Sequence, residues 1–108
     1  MASRPITFGQ AIAKARKAKG LSQKELAALI VKDEDEGPIS PQYLNDIEHD
    51  RRSPTSDQLI REFARALKVD ENYLFVLAGK IPDDVRRDAS DPVAVANAFR
   101  AFRRTISR

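Results

Sequence analysis

The sequence predicts an all-α fold, and three features support this. Polar capping residues recur along the chain, each followed by apolar residues at intervals of three and four. The helix formers Ala, Leu, Arg, Lys and Glu outnumber β-branched runs. A length of 108 residues, with 42% hydrophobic and 32% charged residues, suits one soluble domain with a single core.

The first two helices are predicted from capping boxes. Thr7 with Gln10 begins a helix that Gly20 ends in the left-handed conformation. Ser22 with Glu25 begins a second, shorter helix. The residues expected on the buried side of these helices are Phe8, Ile12, Ala15, Leu26, Leu29 and Ile30.

The segment from Val31 to Ile39 is predicted to be a loop. It contains four consecutive acids, Asp33 to Glu36, followed by Gly37 and Pro38, a composition typical of loops. The acids lack the alternation, the glycine and the distant glutamate of a calcium loop.

Three further helices follow, each opened by a capping residue. Ser40 caps the third helix, with Pro41 at its first position, and the run 51–54 ends it. Thr55 with Gln58 opens the fourth, and Asp70 opens a fifth that ends at Gly79. Their expected inward residues are Leu44, Ile47, Leu59, Ile60, Phe63, Ala66, Leu67, Tyr73, Leu74 and Leu77.

After residues 80–82 we expect a polar stretch with one helical turn, and then a last helix that begins at Asp91 and Pro92. Apolar residues recur in this last helix at spacings of four, three and four, namely Val95, Phe99, Phe102 and Ile106. Two interpretations stay open, since this stripe either packs back on its own domain or forms a dimer seam. The expected organisation is a flexible arm at 1–6, a core domain at 7–79 and a C-terminal extension at 80–108.

Seen together, the motifs resemble the phage repressor and Cro family of helix-turn-helix proteins, the xenobiotic-response-element-like regulators. The resemblance covers Thr7 to Gly79 and rests on Phe8, Arg16, Gly20-Leu21-Ser22-Gln23, Leu26-Ala27, Ile39-Ser40, Leu44, Ile47-Glu48 and Arg51-Arg52-Ser53-Pro54. It implies a compact five-helix, lambda-repressor-like DNA-binding domain, usually dimeric, whose third helix reads bases in the major groove. It also implies a partly buried ion pair between Arg16 and Glu48. The turn between the second and third helices is longer than the family's usual one.

The third helix supplies the expected base readers. Gln42 and Asn45 suit bidentate contacts to adenine, and Pro41 and Tyr43 offer apolar contact to a thymine methyl. The Tyr43 hydroxyl is an alternative phosphate donor. Asp46 either accepts from a cytosine amino group or makes an intramolecular bond.

Contacts to the DNA backbone are expected around this helix. Gln23, in the first turn of the second helix, suits a phosphate oxygen together with the free backbone N–H groups. The remaining expected backbone contacts are Ser22, Lys24, Ser40, His49, Arg51, Arg52 and Ser53. The acidic segment is interpreted either as a solvated loop without a role or as a partner site or a filter against wrong DNA.

The leading functional hypothesis is a sequence-specific transcriptional regulator, a repressor that binds an inverted-repeat operator in double-stranded DNA as a homodimer. The alternative is an antitoxin-like module whose C-terminal helix captures a protein partner. Basic residues near both ends suit a polyanion, although a net charge of +3 also fits a solvated mixed surface. With one His, no Cys and no phosphate loop, we expect no enzyme, no cofactor and no metal site. Without an apolar span or signal, a cytoplasmic location is expected.

Overall fold

The computed structural model describes residues 6–33, 37–54, 56–88 and 91–106. In these ranges the elements are α1 (Phe8–Ala18), α2 (Gln23–Leu29), β1 (Val31–Asp33), β2 (Gly37–Pro38), α3 (Pro41–Glu48), α4 (Asp57–Leu67), α5 (Glu71–Ala78), α6 (Asp83–Asp88) and α7 (Pro92–Ile106). The mainly helical prediction is confirmed. Apart from Ile6, the predicted N-terminal arm lies outside the described residues.

Capping residues define where the helices begin. The Thr7 hydroxyl accepts from Gln10 N at 3.0 Å, and the Gln10 side chain accepts from Thr7 N at 3.1 Å. Ser22 and Glu25 make the same reciprocal pair at α2. The fourth helix differs from the prediction, because its N-cap is Ser56, whose hydroxyl accepts from Leu59 N at 3.2 Å. Thr55 lies outside the described residues.

Helices α1 to α5 surround one apolar core. Its largest fully buried side chains are Ile12, Leu26, Ile30, Leu44, Ile47, Leu59, Ile60, Phe63, Leu74 and Phe75. Two of the predicted inward residues are wrong, because Leu29 is 47% exposed and Tyr73 is 44% exposed. Leu29 is the last residue of α2, where the helical spacing ends. Tyr73 lies in α5, which is apolar around most of its circumference, so spacing could not distinguish its buried positions from its exposed ones.

The segment predicted as a loop contains a short antiparallel ribbon instead, formed by β1 and β2. Ile39 N donates to Ile30 O at 2.9 Å and closes the base of the ribbon, where both isoleucine side chains are buried. The prediction failed because turn-forming residues outweighed the β-branched residues on either side of them. The acids at 34–36 lie outside the described residues.

Helix α4 fixes the ribbon. Val31 N donates to Glu62 Oε1 at 3.1 Å, and Gln58 Nε2 donates to Val31 O at 3.4 Å. The Arg65 guanidinium, which donates to the same carboxylate, lowers the pKa of Glu62, with partial burial opposing and the Val31 bond assisting. Glu62 therefore stays ionised at neutral pH and keeps its bond to the ribbon.

Gly9 allows α1 to approach the end of α3. A Cβ at this position would lie 2.2 Å from Ile47 O and 2.7 Å from Glu48 O. Gly9 N also donates to Asp50 Oδ1 at 3.1 Å, and Thr7 Oγ1 donates to Asp50 Oδ2 at 2.6 Å. Asp50, two residues after the end of α3, therefore accepts hydrogen bonds from the N-terminus of α1 at the point where Gly9 leaves no room for a side chain.

We expect Gly9→Ala to lower the free energy of unfolding by about 1 to 3 kcal/mol, because the added methyl forces the two backbones apart. Urea unfolding of the variant and the wild type measures the difference. Lys14→Ala, at an exposed position of the same helix, is the control and should stay within about 0.5 kcal/mol of wild type. Equal midpoints for Gly9→Ala and Lys14→Ala would contradict the close approach.

Candidate nucleic-acid interface

Helices α2 and α3 form a fixed pair on one side of the domain. Leu26 and Ala27 of α2 and Leu44 and Ile47 of α3 are buried in the shared core. The Ser22 hydroxyl caps α2, and the Ser40 hydroxyl caps α3 by accepting from Tyr43 N at 3.0 Å. The ribbon joins the two helices, so this pair is a helix-turn-helix with an extended turn.

The outer surface of α3 divides into three parts. Successive helical residues are rotated by about 100°, so Gln42, Asp46 and His49 lie opposite the buried Leu44 and Ile47. The same rotation places Tyr43 on one flank and Asn45 on the other. Pro41, Gln42 and His49 are exposed, and Tyr43, Asn45 and Asp46 are half-buried.

A hydrogen-bond chain runs over the outer surface of α3. Gln42 Nε2 donates to Asp46 Oδ1 at 3.0 Å, and Arg51 Nε donates to the same oxygen at 3.2 Å. Of the two alternatives for Asp46, the structure therefore contains the intramolecular one. The bond uses one amide hydrogen of Gln42, so its second N–H and its carbonyl oxygen can still serve a bidentate contact to adenine.

Gln23 connects α2 to α3. Its Nε2 donates to Asn45 Oδ1 at 3.1 Å and to Glu48 Oε1 at 3.0 Å. These two bonds use both amide hydrogens of Gln23, so in this rotamer the phosphate contact predicted for Gln23 depends on its backbone N–H. The side chain instead orients Asn45, whose Nδ2 group remains a donor. The backbone N–H groups in the first turn of α2, where Gln23 lies, have no acceptor within the helix.

The structure brings Arg16 and Glu48 together in a bidentate ion pair. Arg16 Nε lies 2.7 Å from Glu48 Oε2 and Nη2 lies 3.1 Å from Oε1, with side-chain exposures of 11% and 3%. Arg16 Nη1 also donates to Leu21 O at 2.9 Å. With the additional bond from Gln23, this carboxylate joins α1, α2 and α3.

Replacing Arg16 alone by Met should destabilise the fold by about 3 to 5 kcal/mol, because it leaves the buried carboxylate of Glu48 without its cationic partner. The double variant Arg16→Met/Glu48→Leu should melt at a higher temperature than the single variant, since it removes that unpaired charge. Calorimetry gives both melting temperatures. Lys17→Met, an exposed basic residue on the same helix, controls for loss of charge. Equal melting temperatures for Arg16→Met and the wild type would refute the role of the pair.

The Tyr43 flank carries two cations. Arg52 Cζ lies 4.6 Å from the centroid of the Tyr43 ring, and Lys32 Nζ of β1 lies 5.2 Å from it. The Tyr43 hydroxyl is buried and has no hydrogen-bond partner among the described residues. In this rotamer the hydroxyl cannot reach a phosphate, so the alternative role predicted for it requires a side-chain rotation.

The other predicted backbone contacts lie around this surface. Ser22, Lys24, Ser40, Arg51, Arg52 and Ser53 are exposed, and His49 Nδ1 lies 2.9 Å from Asn45 O. Sequence reasoning missed Lys32 because the surrounding residues were interpreted as a loop. The signal that could have placed it was the pair of β-branched residues, Ile30 and Val31, immediately before it.

The C-terminal segment stands apart from the core. Asp57 of α4 anchors its beginning, since Asp83 N donates to Asp57 Oδ2 at 2.9 Å and Lys80 Nζ lies 3.0 Å from Oδ1. No residue of α7 is buried within the described chain, and Phe99 and Phe102 are 50% and 55% exposed. Of the two interpretations of the α7 stripe, packing against the five-helix core is therefore not observed in the described residues. An apolar groove of about 590 Å³ is lined by Ile81, Val85, Arg86, Val95, Ala98, Phe99 and Phe102.

The comparison with known families agrees with this geometry. A family model described as Helix-turn-helix, HTH_3, matches residues 12–74, more than half of the chain. The chain belongs to the Cro/C1-type helix-turn-helix family. The family resemblance found in the sequence is therefore confirmed. Searches of curated proteins and of solved structures found no significant match.

Membership in the Cro/C1-type family implies DNA binding, and the domains of this family are not catalytic. In helix-turn-helix domains the second helix of the motif enters the major groove, and here that helix is α3. Across the described ranges, no helix has the length and apolarity needed to cross a membrane. The same ranges contain no cluster of three metal-ligating side chains.

Proposed function

We propose that the protein is a sequence-specific transcriptional repressor that binds an inverted-repeat operator as a homodimer. The observation that carries this proposal is the outer surface of α3, where Gln42 and Asp46 form one hydrogen-bonded row with Arg51, which follows the helix. A rigid polar row of this kind suits base edges in the major groove, because its donors and acceptors are oriented before binding. Occupation of an operator that overlaps a promoter is sufficient for repression.

Within this proposal the readers of base edges are Pro41, Gln42, Tyr43, Asn45 and Asp46. Gln42 makes the bidentate contact to adenine, while Asp46 holds its amide in place. Asn45 donates its free amide hydrogens while Gln23 holds its carbonyl oxygen. The backbone contacts come from Ser22, Gln23, Lys24, Ser40, His49, Arg51, Arg52 and Ser53, which surround this surface.

Selection of binding sites from random duplex DNA tests the proposal directly. We expect a motif with two inverted half-sites whose centres lie about one helical turn apart. Failure to enrich any motif would overturn the proposed function. A single unpaired half-site would retain sequence-specific binding but overturn the dimeric operator.

Two substitutions separate base readers from backbone contacts. Gln42→Ala should cost about 1 to 3 kcal/mol on the selected site and relax preference at one base position, because a bidentate contact is lost. Arg52→Ala should weaken binding to all sequences alike and reduce the salt slope by about one, because a phosphate contact is lost. Fluorescence anisotropy on matched and singly changed duplexes measures both effects. Unchanged base preference in Gln42→Ala would refute its reading role.

The dimer seam is proposed to be the exposed stripe of α7, Val95, Phe99, Phe102 and Ile106. Its charge distribution suits a second copy of the chain. Arg100, Arg103 and Arg104 lie in the C-terminal half of α7, whereas segment 83–91, which precedes α7, carries four acids against two arginines and is acidic on balance. An antiparallel pair of such segments brings the basic end of each against the acidic beginning of the other.

Sedimentation equilibrium tests this seam. Phe99→Glu/Phe102→Glu should convert the dimer to a monomer, because two carboxylates would be buried without partners. Val93→Glu, on the opposite face of the same helix, should leave the dimer intact. A monomeric wild-type chain would contradict the seam and favour the antitoxin-like alternative, in which the same apolar face captures a different protein.

A further inference from the structure

We propose that the ribbon between α2 and α3 is a second DNA-backbone contact, in which Lys32 and Arg52 together bind a phosphate of duplex DNA. Two phosphate backbones border the major groove. The N-terminus of α2 binds one of them in this proposal, and the phosphate bound by Lys32 and Arg52 belongs to the other. The inference rests on the proposed function and adds to it a contact from the extended turn. It gives a role to the segment that makes this helix-turn-helix unusual.

The first argument is the position of the two cations relative to α3. Asn45 and Glu48 lie on the flank that Gln23 of α2 contacts. Tyr43 lies on the other flank, about 200° away from Asn45 by helical rotation. A helix in the major groove is bordered by one phosphate backbone on each side. If Gln23 and the start of α2 face one backbone, Tyr43 and its two cations face the other.

The second argument is the concentration of positive charge on that flank. Lys32 Nζ and Arg52 Cζ both lie within 5.2 Å of the centroid of one aromatic ring. Both charges therefore lie on the Tyr43 flank of α3, and a phosphate that approaches this flank is attracted by both of them. The ring displaces water from part of the surface of each cation, which strengthens the attraction of that cation for an anion.

The third argument is that the ribbon holds Lys32 in place. Its base is closed by the Ile39 to Ile30 hydrogen bond, and the carboxylate of Glu62 accepts from the N–H of Val31, the residue before Lys32. A cation on such a support loses less conformational freedom on binding than one on a free loop. The lysine is therefore part of a built surface.

The acids that follow Lys32 provide an independent check on the position of the ribbon. In the sequence Glu34 and Glu36 come between β1 and β2, no more than four residues from Lys32, so chain connectivity keeps their charges near the ribbon. If the ribbon lies beside a DNA backbone, these charges repel the phosphates and reduce affinity. Neutralising the lysine and neutralising the acids should then change affinity in opposite directions.

The test is a salt titration of binding to the selected operator by full-length variants. Lys32→Gln should weaken binding to all duplexes alike and reduce the magnitude of the slope of log K against log salt by about 0.9 per subunit. Lys32→Arg should restore the wild-type slope. Glu34→Gln/Glu36→Gln should strengthen binding, most of all at low salt. Lys14→Gln, which removes the same charge near Val69 and Tyr73, should match wild type.

The outcomes distinguish the two proposals. Wild-type binding with an unchanged slope in Lys32→Gln, at an unchanged melting temperature, overturns the ribbon contact and leaves the proposed function intact. Unchanged affinity in Glu34→Gln/Glu36→Gln overturns it as well, because the ribbon would then be remote from DNA. If the wild type binds no duplex selectively, the proposed function itself fails.

Discussion

The buried carboxylate of Glu48 is the contact on which the arrangement of the DNA-facing helices depends. It accepts two hydrogen bonds from Arg16 of α1 and one from Gln23 of α2, and it is itself on α3. A buried charge is costly unless all its partners are present, so only one mutual placement of the three helices satisfies it. That placement leaves the opposite face of α3 free for DNA.

In the proposed function the same side chains serve both stability and recognition. Gln23 donates both to the structural carboxylate and to Asn45, so the position of a proposed base reader depends on the ion pair behind it. Asp46 has a comparable place on the outer face, where it accepts from Gln42 and from Arg51. This carboxylate therefore supports the two donors next to it, Gln42 and Arg51.

The extended turn changes how charge is distributed around the motif. Its acids carry the charge that DNA repels, yet strand β1 brings Lys32 to the same ring as Arg52. Helix α4 makes this possible by binding the ribbon through Glu62 and Gln58. The insertion is therefore attached to the core on one side and to the flank of α3 on the other.

Local hydrogen bonds were readable from the sequence, and so most of the helices were predictable. Capping at Thr7, Ser22, Ser40 and Asp70 involves residues no more than three positions apart, and helical spacing then located most of the core. The motif residues also identified the family. Spacing was uninformative in α5, where apolar residues occupy nearly every position, and at the end of α2.

The tertiary structure alone decided which side chains meet across elements. Three such pairs are Gln23 with Asn45, Lys32 with Tyr43, and Val31 with Glu62. The number of residues between the two members of a pair does not predict that they are in contact. Such pairs form only after the core has packed, because each depends on the angle between two helices or on the path of the ribbon. The sequence determined the helices and the family, and packing determined the surface that they present to DNA.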